Sequence, residues 1–520
     1  MADFSWKCER GAGALAHITA LPSEFGIGNV GGAAEEFLDF LSSAGFSHWQ
    51  ICPLNPTGYG DSPYQAFSVF AGNPYLIDFA QLGRLGLLKD ADLDCLRRMP
   101  EDRCDFGALY LSVPSLVERA FSAAKSGGIE NFARRVGYSP FEEFSQKSAK
   151  WLDGYALYSA LKKENASRPW TEWPEEIKSF ESASKRRLPD GVLEEAGRVK
   201  FAQWIFFEQY SKLKARANGR GIEIFGDVPI FPAADCSDVW SNPDLFDLSP
   251  EGVPNNTAGV GPDYFSPTGQ MWGNPLYDWK NPRVYDFWKD RLSAAFEMYD
   301  VVRLDHFRGF ADYWAIPANA KDASEGKMKN GPGKKFFEFV RREFPSQKFV
   351  AEDLGLLSKR ALDLRDSIKI PAMAVLQFAF GDSPKNPYLP HNTKSDCVYY
   401  TGTHDNDTAR GWYESAPERA RDEFRRYFRV SGDDASWDMI CAVLTNRARL
   451  AVFPVQDMLS LPSCARFNTP GEPANNWTWR LTRRNFEELK NRAPYLRSML
   501  ELTDRLRTPP QESDKNGGSI

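Results

Sequence analysis

The most constraining feature of the sequence is an alternation of short apolar runs with amphipathic helical segments. Strands that alternate with helices pair in parallel, and eight such units are the number that closes a (β/α)8 barrel. The runs with strand composition are residues 12–21, 48–54, 222–230, 301–306, 349–353, 373–378, 398–403 and 450–457. The helical candidates between them are 33–44, 198–218, 282–298, 333–344, 417–428 and 437–449. The pattern therefore predicts an α/β fold, a (β/α)8 TIM barrel.

Two long stretches depart from this alternation. Residues 84–200 are mostly helical and charged, and we predict that they form an inserted helical subdomain. Residues 235–278 are rich in Pro, Gly, Asn and aromatics. An irregular segment of that length is uncommon unless it is functional, so we expect it to form the wall of a cleft. The barrel is then expected to comprise 1–83 and 201–507, with a disordered polar tail at 508–520.

Composition narrows the possible partners and the compartment. The 520 residues are 42% hydrophobic, which is enough for a large core without disulfides or metal ions. A net charge of −6 gives no basic face, so no nucleic-acid partner is expected. The eight cysteines form no C-x-x-C pair and indicate isolated thiols in a reducing compartment. With no signal peptide or membrane span recognised, we predict a cytoplasmic protein, or an organellar one if a transit peptide has been removed.

The first candidate site is the run V-V-R-L-D-H at 301–306. Residues two apart on a strand share a face, so Arg303 and Asp305 point the same way. Polar side chains at the carboxyl end of a barrel strand line the active site. An adjacent Arg favours the anionic form of Asp305, as a nucleophile requires. The alternative is a structural ion pair at the end of a strand.

Two further predicted strands also end in acids. The run F-V-A-E-D at 349–353 places Glu352 where partial burial would suit a general acid/base, although a helix N-cap cluster is the simpler alternative. The run T-G-T-H-D-N-D-T at 401–408 places His404 and Asp405 in a polar turn after a strand. They could bind sugar hydroxyls and support a cationic transition state, or simply serve turn and capping chemistry.

Taken together, the three strand ends favour chemistry at a glycosidic bond. Such cleavage usually needs one carboxyl group to protonate the leaving oxygen and another to attack or to activate water. The five histidines form no H-E-x-x-H motif, which disfavours a metal hydrolase. The chain also lacks G-x-S-x-G, Walker A and G-x-G-x-x-G motifs. No metal or organic cofactor is therefore expected.

The chain resembles the 4-α-glucanotransferases called amylomaltases or disproportionating enzymes, glycoside hydrolase family 77 of the α-amylase superfamily. The resemblance extends from about Gly13 to about Arg507, and the three acidic runs occur in the family's order. The other matching segments are H-I-T-A-L-P-S at 17–23, G-I-G at 26–28, Y-G-D-S-P-Y-Q at 59–65, G-D-V-P-I at 226–230, P-D-Y-F-S at 262–266, T-G-Q at 268–270, W-G-N-P at 272–275 and R-F-N-T-P-G at 466–471.

This resemblance implies a role for each matching residue. Asp305 would be the nucleophile, Glu352 the general acid/base and Asp405 the stabiliser of the transition state. The positions implied to bind sugar are Arg303, His404, Tyr64, Asp263, Gln270, Trp272 and Asn468. Tyr64 and Trp272 would be the stacking platforms.

The resemblance also implies the activity, a retaining transfer of α-1,4-glucan segments between maltooligosaccharides or between starch- and glycogen-type glucans. It implies no cofactor, no nucleic-acid or membrane partner, and a monomer or homodimer. The residues alone leave two alternatives open, a hydrolytic α-amylase-like enzyme and a non-catalytic glucan-binding protein. One departure is Gly261, where the family usually has proline, and it predicts a looser cleft loop.

Overall fold

A computed structural model describes residues 2–6, 10–58, 60–262, 268–472 and 474–507, so the predicted tail at 508–520 lies outside the described residues. The strands are β1 Gly11–Leu15, β2 His48–Gln50, β3 Glu223–Val228, β4 Asn256–Val260, β5 Gln270–Pro275, β6 Val301–Leu304, β7 Asp312–Pro317, β8 Lys327–Asn330, β9 Lys348–Ala351, β10 Ala372–Val375, β11 Cys397–Tyr400 and β12 Leu450–Pro454.

The helices are α1 Gly32–Ala44, α2 Phe79–Arg84, α3 Asp94–Arg97, α4 Phe106–Gly127, α5 Ile129–Val136, α6 Phe141–Glu164, α7 Phe180–Ser184, α8 Asp190–Gly219, α9 Ser237–Ser241, α10 Arg283–Met298, α11 Lys334–Glu343, α12 Lys359–Ile368, α13 Ala409–Ser415, α14 Glu418–Phe428, α15 Ala435–Thr445, α16 Val455–Met458, α17 Arg483–Asn491 and α18 Ala493–Leu502. Within the described ranges, no helix is long and apolar enough to cross a bilayer.

Eight strands form one parallel sheet that curves into a barrel. Their order is β10–β11–β12–β1–β2–β3–β6–β9, which is the chain order once the sheet closes. The backbone N–H of Ala351 donates to Pro371 O at 2.9 Å and joins β9 to the segment before β10. Every predicted strand run overlaps one of these strands, so the predicted (β/α)8 barrel is confirmed. The strands are shorter than predicted because each polar run after a strand turns away into a loop.

A second, antiparallel sheet stands beside the barrel in the order β5–β4–β7–β8. Its strands β4 and β5 lie inside residues 235–278, where the sequence pattern indicated no strands. They were missed because their burial does not alternate cleanly and Gly, Asn and Pro interrupt them. The sheet holds β5, with Gln270 and Trp272, next to the loop that follows β6. Residues 84–200 contain α3 to α7 and the first part of α8, and their assignment as an inserted subdomain stays a prediction.

The amino-terminal segment closes the barrel at the end opposite the strand carboxyl ends. Trp6 is buried against the inward-facing side chains of the barrel, among them Phe225 and Val301. Its ring stacks on His48 at a centroid distance of 6.4 Å and meets Phe225 edge-on at 6.4 Å. Phe4 packs between Phe337 and Phe349 nearby. The sequence of this segment alone does not indicate that structural role.

Trp6→Ala should destabilise the protein without changing its chemistry. Removing a buried aromatic ring typically costs about 3–5 kcal/mol, because the cavity closes only partly. We expect the midpoint of urea unfolding to fall while kcat per folded enzyme stays constant, since Trp6 is remote from the strand carboxyl ends. Leu111→Ala is a suitable control, because that side chain is 77% exposed. A loss of kcat in the folded Trp6 variant would contradict a purely structural role.

Candidate active site

The three predicted acids lie at one mouth of the barrel because all eight strands run parallel. Asp305 directly follows β6, and Glu352 directly follows β9. Leu304 and Ala351 are register partners, so the two acids begin side by side. Asp405 lies five residues after the end of β11, in the predicted polar turn. Parallel strands therefore bring together residues that are up to 100 positions apart in the sequence.

Arg303 is buried between two carboxylates. Its Nη1 donates to Asp305 Oδ1 at 2.9 Å and also to Asp227 Oδ2. Asp227 is its register partner on β3, so the pairing follows from the barrel itself. Burial opposes the charge on Arg303, but the two carboxylates outweigh it and raise the pKa of the guanidinium. A fixed positive charge thus sits behind Asp305, whose side chain is 26% exposed to the mouth of the barrel.

Tyr64 links this ion pair to the turn that contains His404 and Asp405. Its hydroxyl donates to Asp227 Oδ2 at 2.6 Å. Its ring stacks on His404 with a centroid distance of 5.3 Å and an interplanar angle of 17°. The His404 imidazole therefore covers one face of the predicted stacking platform. Burial raises the pKa of Asp227 to about 6, and the nearby Arg303 opposes this shift.

Asp405 has a different environment from Asp305. His404 Nε2 lies 3.3 Å from Asp405 Oδ1, and Asn468 Nδ2 donates to the same oxygen at 2.6 Å. Arg466 donates to the backbone carbonyl of Asp405 at 2.6 Å. Burial would raise the pKa of Asp405, but His404 and the hydrogen bond from Asn468 hold it below its ordinary value. In return, Asp405 raises the pKa of His404 despite the burial of that ring.

Glu352 differs from Asp405 in the direction of its pKa shift. Its two oxygens accept backbone hydrogen bonds, from His306 N at 2.8 Å and from Leu354 N at 2.9 Å. Burial nevertheless raises the pKa of Glu352 to about 7; Asp305 adds to the increase, while Arg303 opposes it. The site thus contains carboxyl groups in contrasting environments, which is how one site separates acid from nucleophile.

Two more of the predicted sugar-binding residues, Trp272 and Gln270, lie near the same mouth. The half-buried Trp272 meets the His306 ring edge-on at 4.8 Å, and its Nε1 donates to Gln270 Oε1 at 3.2 Å. The amide of Gln65 donates to Asn274 at 2.8 Å and so ties this strand to the loop of Tyr64. Asp263 lies outside the described residues. The described residues contain no group of three or more His, Cys, Asp or Glu side chains arranged to hold a metal ion.

Two contacts of this network were not assigned from the sequence. Asp227 and Arg466 belong to segments that match the family, but neither residue was predicted to have a role in the site. Asp227 could have been found by the rule that identified the other acids, because it lies near the carboxyl end of an apolar strand. Nothing in the local sequence around Arg466 indicates that its guanidinium reaches a carbonyl 61 residues away.

Comparison with known proteins agrees with this architecture. Residues 16–485 match the family model described as 4-alpha-glucanotransferase. The chain is 43% identical to the 4-alpha-glucanotransferase of Thermus thermophilus, over 96% of this chain and 99% of that protein. It is 40% identical to the enzyme of Clostridium butyricum, over 89% and 95% respectively.

Structural comparison agrees as well. The chain resembles the amylomaltase of Streptococcus agalactiae, solved in complex with acarbose, with a TM-score of 0.90 and 32% identity; the match covers 96% of this chain and all of that one. A barrel with several carboxylates at its mouth defines the general class, an enzyme acting on glycosidic bonds. Within that class, the chain belongs to the 4-α-glucanotransferase family.

Asp227→Asn should lower turnover by more than the loss of stability of the variant accounts for. The variant keeps the shape but removes one of the two negative charges that hold Arg303. The guanidinium would then settle on Asp305 alone and misplace it, and misplacement of a reacting group can cost about 100-fold in rate. We expect kcat for maltotriose to fall by that order, with a smaller change in KM.

Asp238→Asn is the matched control for this variant. Asp238 is equally buried, and burial raises its pKa to about 6 as well, but its carboxylate accepts from Val69 N rather than pairing with Arg303. Its substitution should lower stability and leave kcat per folded enzyme unchanged. Equal losses of kcat in the two variants would show that a buried charge, not its contact with Arg303, is what matters.

Proposed function

We propose that the three acids carry out a retaining transfer of α-1,4-glucan segments. The observation that carries this proposal is the contrast between Asp305, held against Arg303, and Glu352, whose pKa burial raises to about 7. A retaining glycoside enzyme needs one ionised carboxylate and one protonated carboxyl group at the same bond. Donor and acceptor would be maltooligosaccharides or starch- and glycogen-type glucans.

In the first step, Asp305 attacks the anomeric carbon of the donor while the glycosidic C–O bond breaks. Glu352 passes its proton to the departing 4-oxygen, so the shorter glucan leaves as an alcohol. Positive charge develops at the sugar ring in the transition state, and the ionised Asp405 stabilises it. The product is a glycosyl ester on Asp305, and Glu352 is left as a carboxylate.

In the second step, the 4-hydroxyl of another glucan attacks the ester. Glu352 now takes the hydroxyl proton as general base, and the bond to Asp305 breaks. The number of glycosidic bonds is unchanged, and both catalytic acids return to their starting states. Transfer prevails over hydrolysis only if the acceptor is held in attack geometry and water is kept out. We assign that task to the antiparallel sheet of β4 and β5.

The setting of the reaction is also a proposal. We infer a cytoplasmic enzyme that acts as a monomer or homodimer on storage glucans and their fragments. Support comes from the seven described cysteines, which are free rather than paired, as is usual in a reducing compartment. Glucan as the substrate class is supported by family membership.

Maltotriose distinguishes transfer from hydrolysis. A transferase should convert it into glucose and longer maltooligosaccharides while the concentration of reducing ends stays constant. Product lengths can be followed by chromatography, and reducing ends by a colorimetric assay in the same samples. A steady rise in reducing ends would favour the hydrolase, and no conversion would favour a binding protein.

The proposed acid role of Glu352 predicts a donor-dependent pH profile. A general acid must be protonated, so kcat/KM for maltotriose should fall as the pH rises through about 7, the pKa of Glu352. α-Maltosyl fluoride needs no proton for its leaving group, so kcat/KM for that donor should not show this alkaline decline.

The variant Glu352→Gln tests the same role. It should lose about 100-fold to 10,000-fold of its rate with maltotriose, but far less in the first-turnover burst of fluoride from α-maltosyl fluoride, which precedes the step in which Glu352 acts as base. Glu223→Gln is the control, because Glu223 pairs with His48 and Lys348 at the opposite end of the barrel. Equal losses with both donors would remove Glu352 from the acid role.

A further inference from the structure

Trp477 has a backbone conformation that a large side chain rarely adopts. Its φ is +65°, in the left-handed region, which is a genuine outlier for a bulky residue. The residue is nevertheless 5% exposed, so the strain is not that of a surface turn. Conformations of this kind persist only when the surroundings impose them, and they cluster at functional sites.

The surrounding loop imposes the conformation through its own hydrogen bonds. The backbone N–H of Trp477 donates to Phe467 O at 2.7 Å and closes the loop. The side chain of Asn476 accepts from Thr469 N and donates to Glu472 O, each at 2.8 Å. The same loop contains Asn468, which contacts Asp405. The loop is therefore fixed at its base and in its middle, and its last turn directs the indole inward.

The indole of Trp477 packs against the rings of both Tyr64 and His404. Its ring centroid lies 5.6 Å from that of Tyr64 and 5.8 Å from that of His404. Those two rings stack on each other, so the three rings form a compact triangle. Phe467 meets the indole edge-on at 5.4 Å. At 5% exposure, Trp477 offers no open face for a sugar, which separates it from the predicted stacking platforms.

We propose that Trp477 is a positioning residue that fixes the positions of both Asp305, the proposed nucleophile, and Asp405, the proposed stabiliser. Tyr64 donates to Asp227, which pairs with Arg303 and so fixes Asp305. His404 contacts Asp405 directly. A single rigid ring against Tyr64 and His404 therefore constrains both carboxylates without contacting either one. This inference rests on the proposed function, because it assigns Trp477 a role in that reaction.

If Trp477 only filled the core, its backbone would not need the strained left-handed conformation. The buried Trp240 shows the ordinary case, since it lies in α9 and packs against Tyr158, Trp173 and Phe180. An indole at Trp477 with ordinary φ would leave the loop on a different path. The strain is thus explained by where the ring has to be, in contact with Tyr64 and His404.

The test compares Trp477→Phe and Trp477→Leu with the matched control Trp240→Phe, using the maltotriose assay and thermal unfolding. We expect kcat of both Trp477 variants to fall between about 10-fold and 100-fold, as for other small misplacements of reacting groups, with KM changed by less than about threefold. Trp240→Phe should lower the melting temperature by a similar amount and leave kcat of the folded enzyme unchanged. Trp477→Phe keeps a ring and guards against a Leu variant that does not fold.

A double-mutant cycle with Tyr64→Phe tests whether Trp477 acts through Tyr64. Residues that work as a unit are non-additive, so the loss in the double variant should be smaller than the product of the two single losses; the part that remains acts through His404. Combined with Trp240→Phe, the Tyr64 effect should be unchanged. Unchanged kcat, a rise confined to KM, or full additivity with Tyr64→Phe would each overturn the inference. If the wild-type chain itself fails to redistribute maltotriose, the proposed function fails instead.

Discussion

The guanidinium of Arg303 is a buried cation shared by Asp227 and Asp305, and the geometry of the site depends on it. Taking a charge out of water is costly, and removal of one partner of a buried pair leaves an uncompensated charge. Arg303 is therefore stable only where the barrel register sets Asp227 opposite it and the end of β6 sets Asp305 beside it. The position of the candidate nucleophile is thus fixed by the strand pairing of the fold.

On the other side of the mouth, His404 is the partner of a carboxylate. His404 is buried between the Tyr64 ring and Asp405, and the pKa of each partner moves so as to favour the charged pair. The side chain of Glu352 instead accepts backbone hydrogen bonds from His306 and Leu354, and burial raises its pKa to about 7. Glu352 and Asp405, two carboxyl groups of similar intrinsic acidity, thereby have pKa values shifted in opposite directions by burial and by their neighbours. Tyr64 connects the two sides: its hydroxyl donates to Asp227, the partner of Arg303, and its ring stacks on His404.

Much of this was predictable from the sequence because it is local. An apolar run followed by an acid identifies a strand and the residue at its carboxyl end, and that rule found Asp305 and Glu352 without knowledge of their partners. The polar turn with His404 and Asp405 was found in the same way. Eight such runs were enough to predict the barrel, since the parallel order follows from the alternation with helices.

The unpredicted features depend on contacts between distant parts of the chain. The burial of Trp6 depends on side chains from several strands. Strand β4 pairs with the distant β7, and β5 in turn pairs with β4. The left-handed backbone of Trp477 and the reach of Arg466 also have no signature in neighbouring residues. Such features follow from tertiary packing, which a periodicity argument does not contain.

The central claim is that Asp305 forms a covalent bond to the sugar, and trapping that intermediate tests it most directly. A 5-fluoro-α-glycosyl fluoride reacts without acid assistance, and the second fluorine slows release of the ester by destabilising the cationic transition state. Peptide mapping by mass spectrometry should then find one glycosyl adduct, on the peptide that contains Asp305. An adduct on Glu352 or Asp405, or turnover of the reagent with no adduct on any carboxylate, would contradict the account.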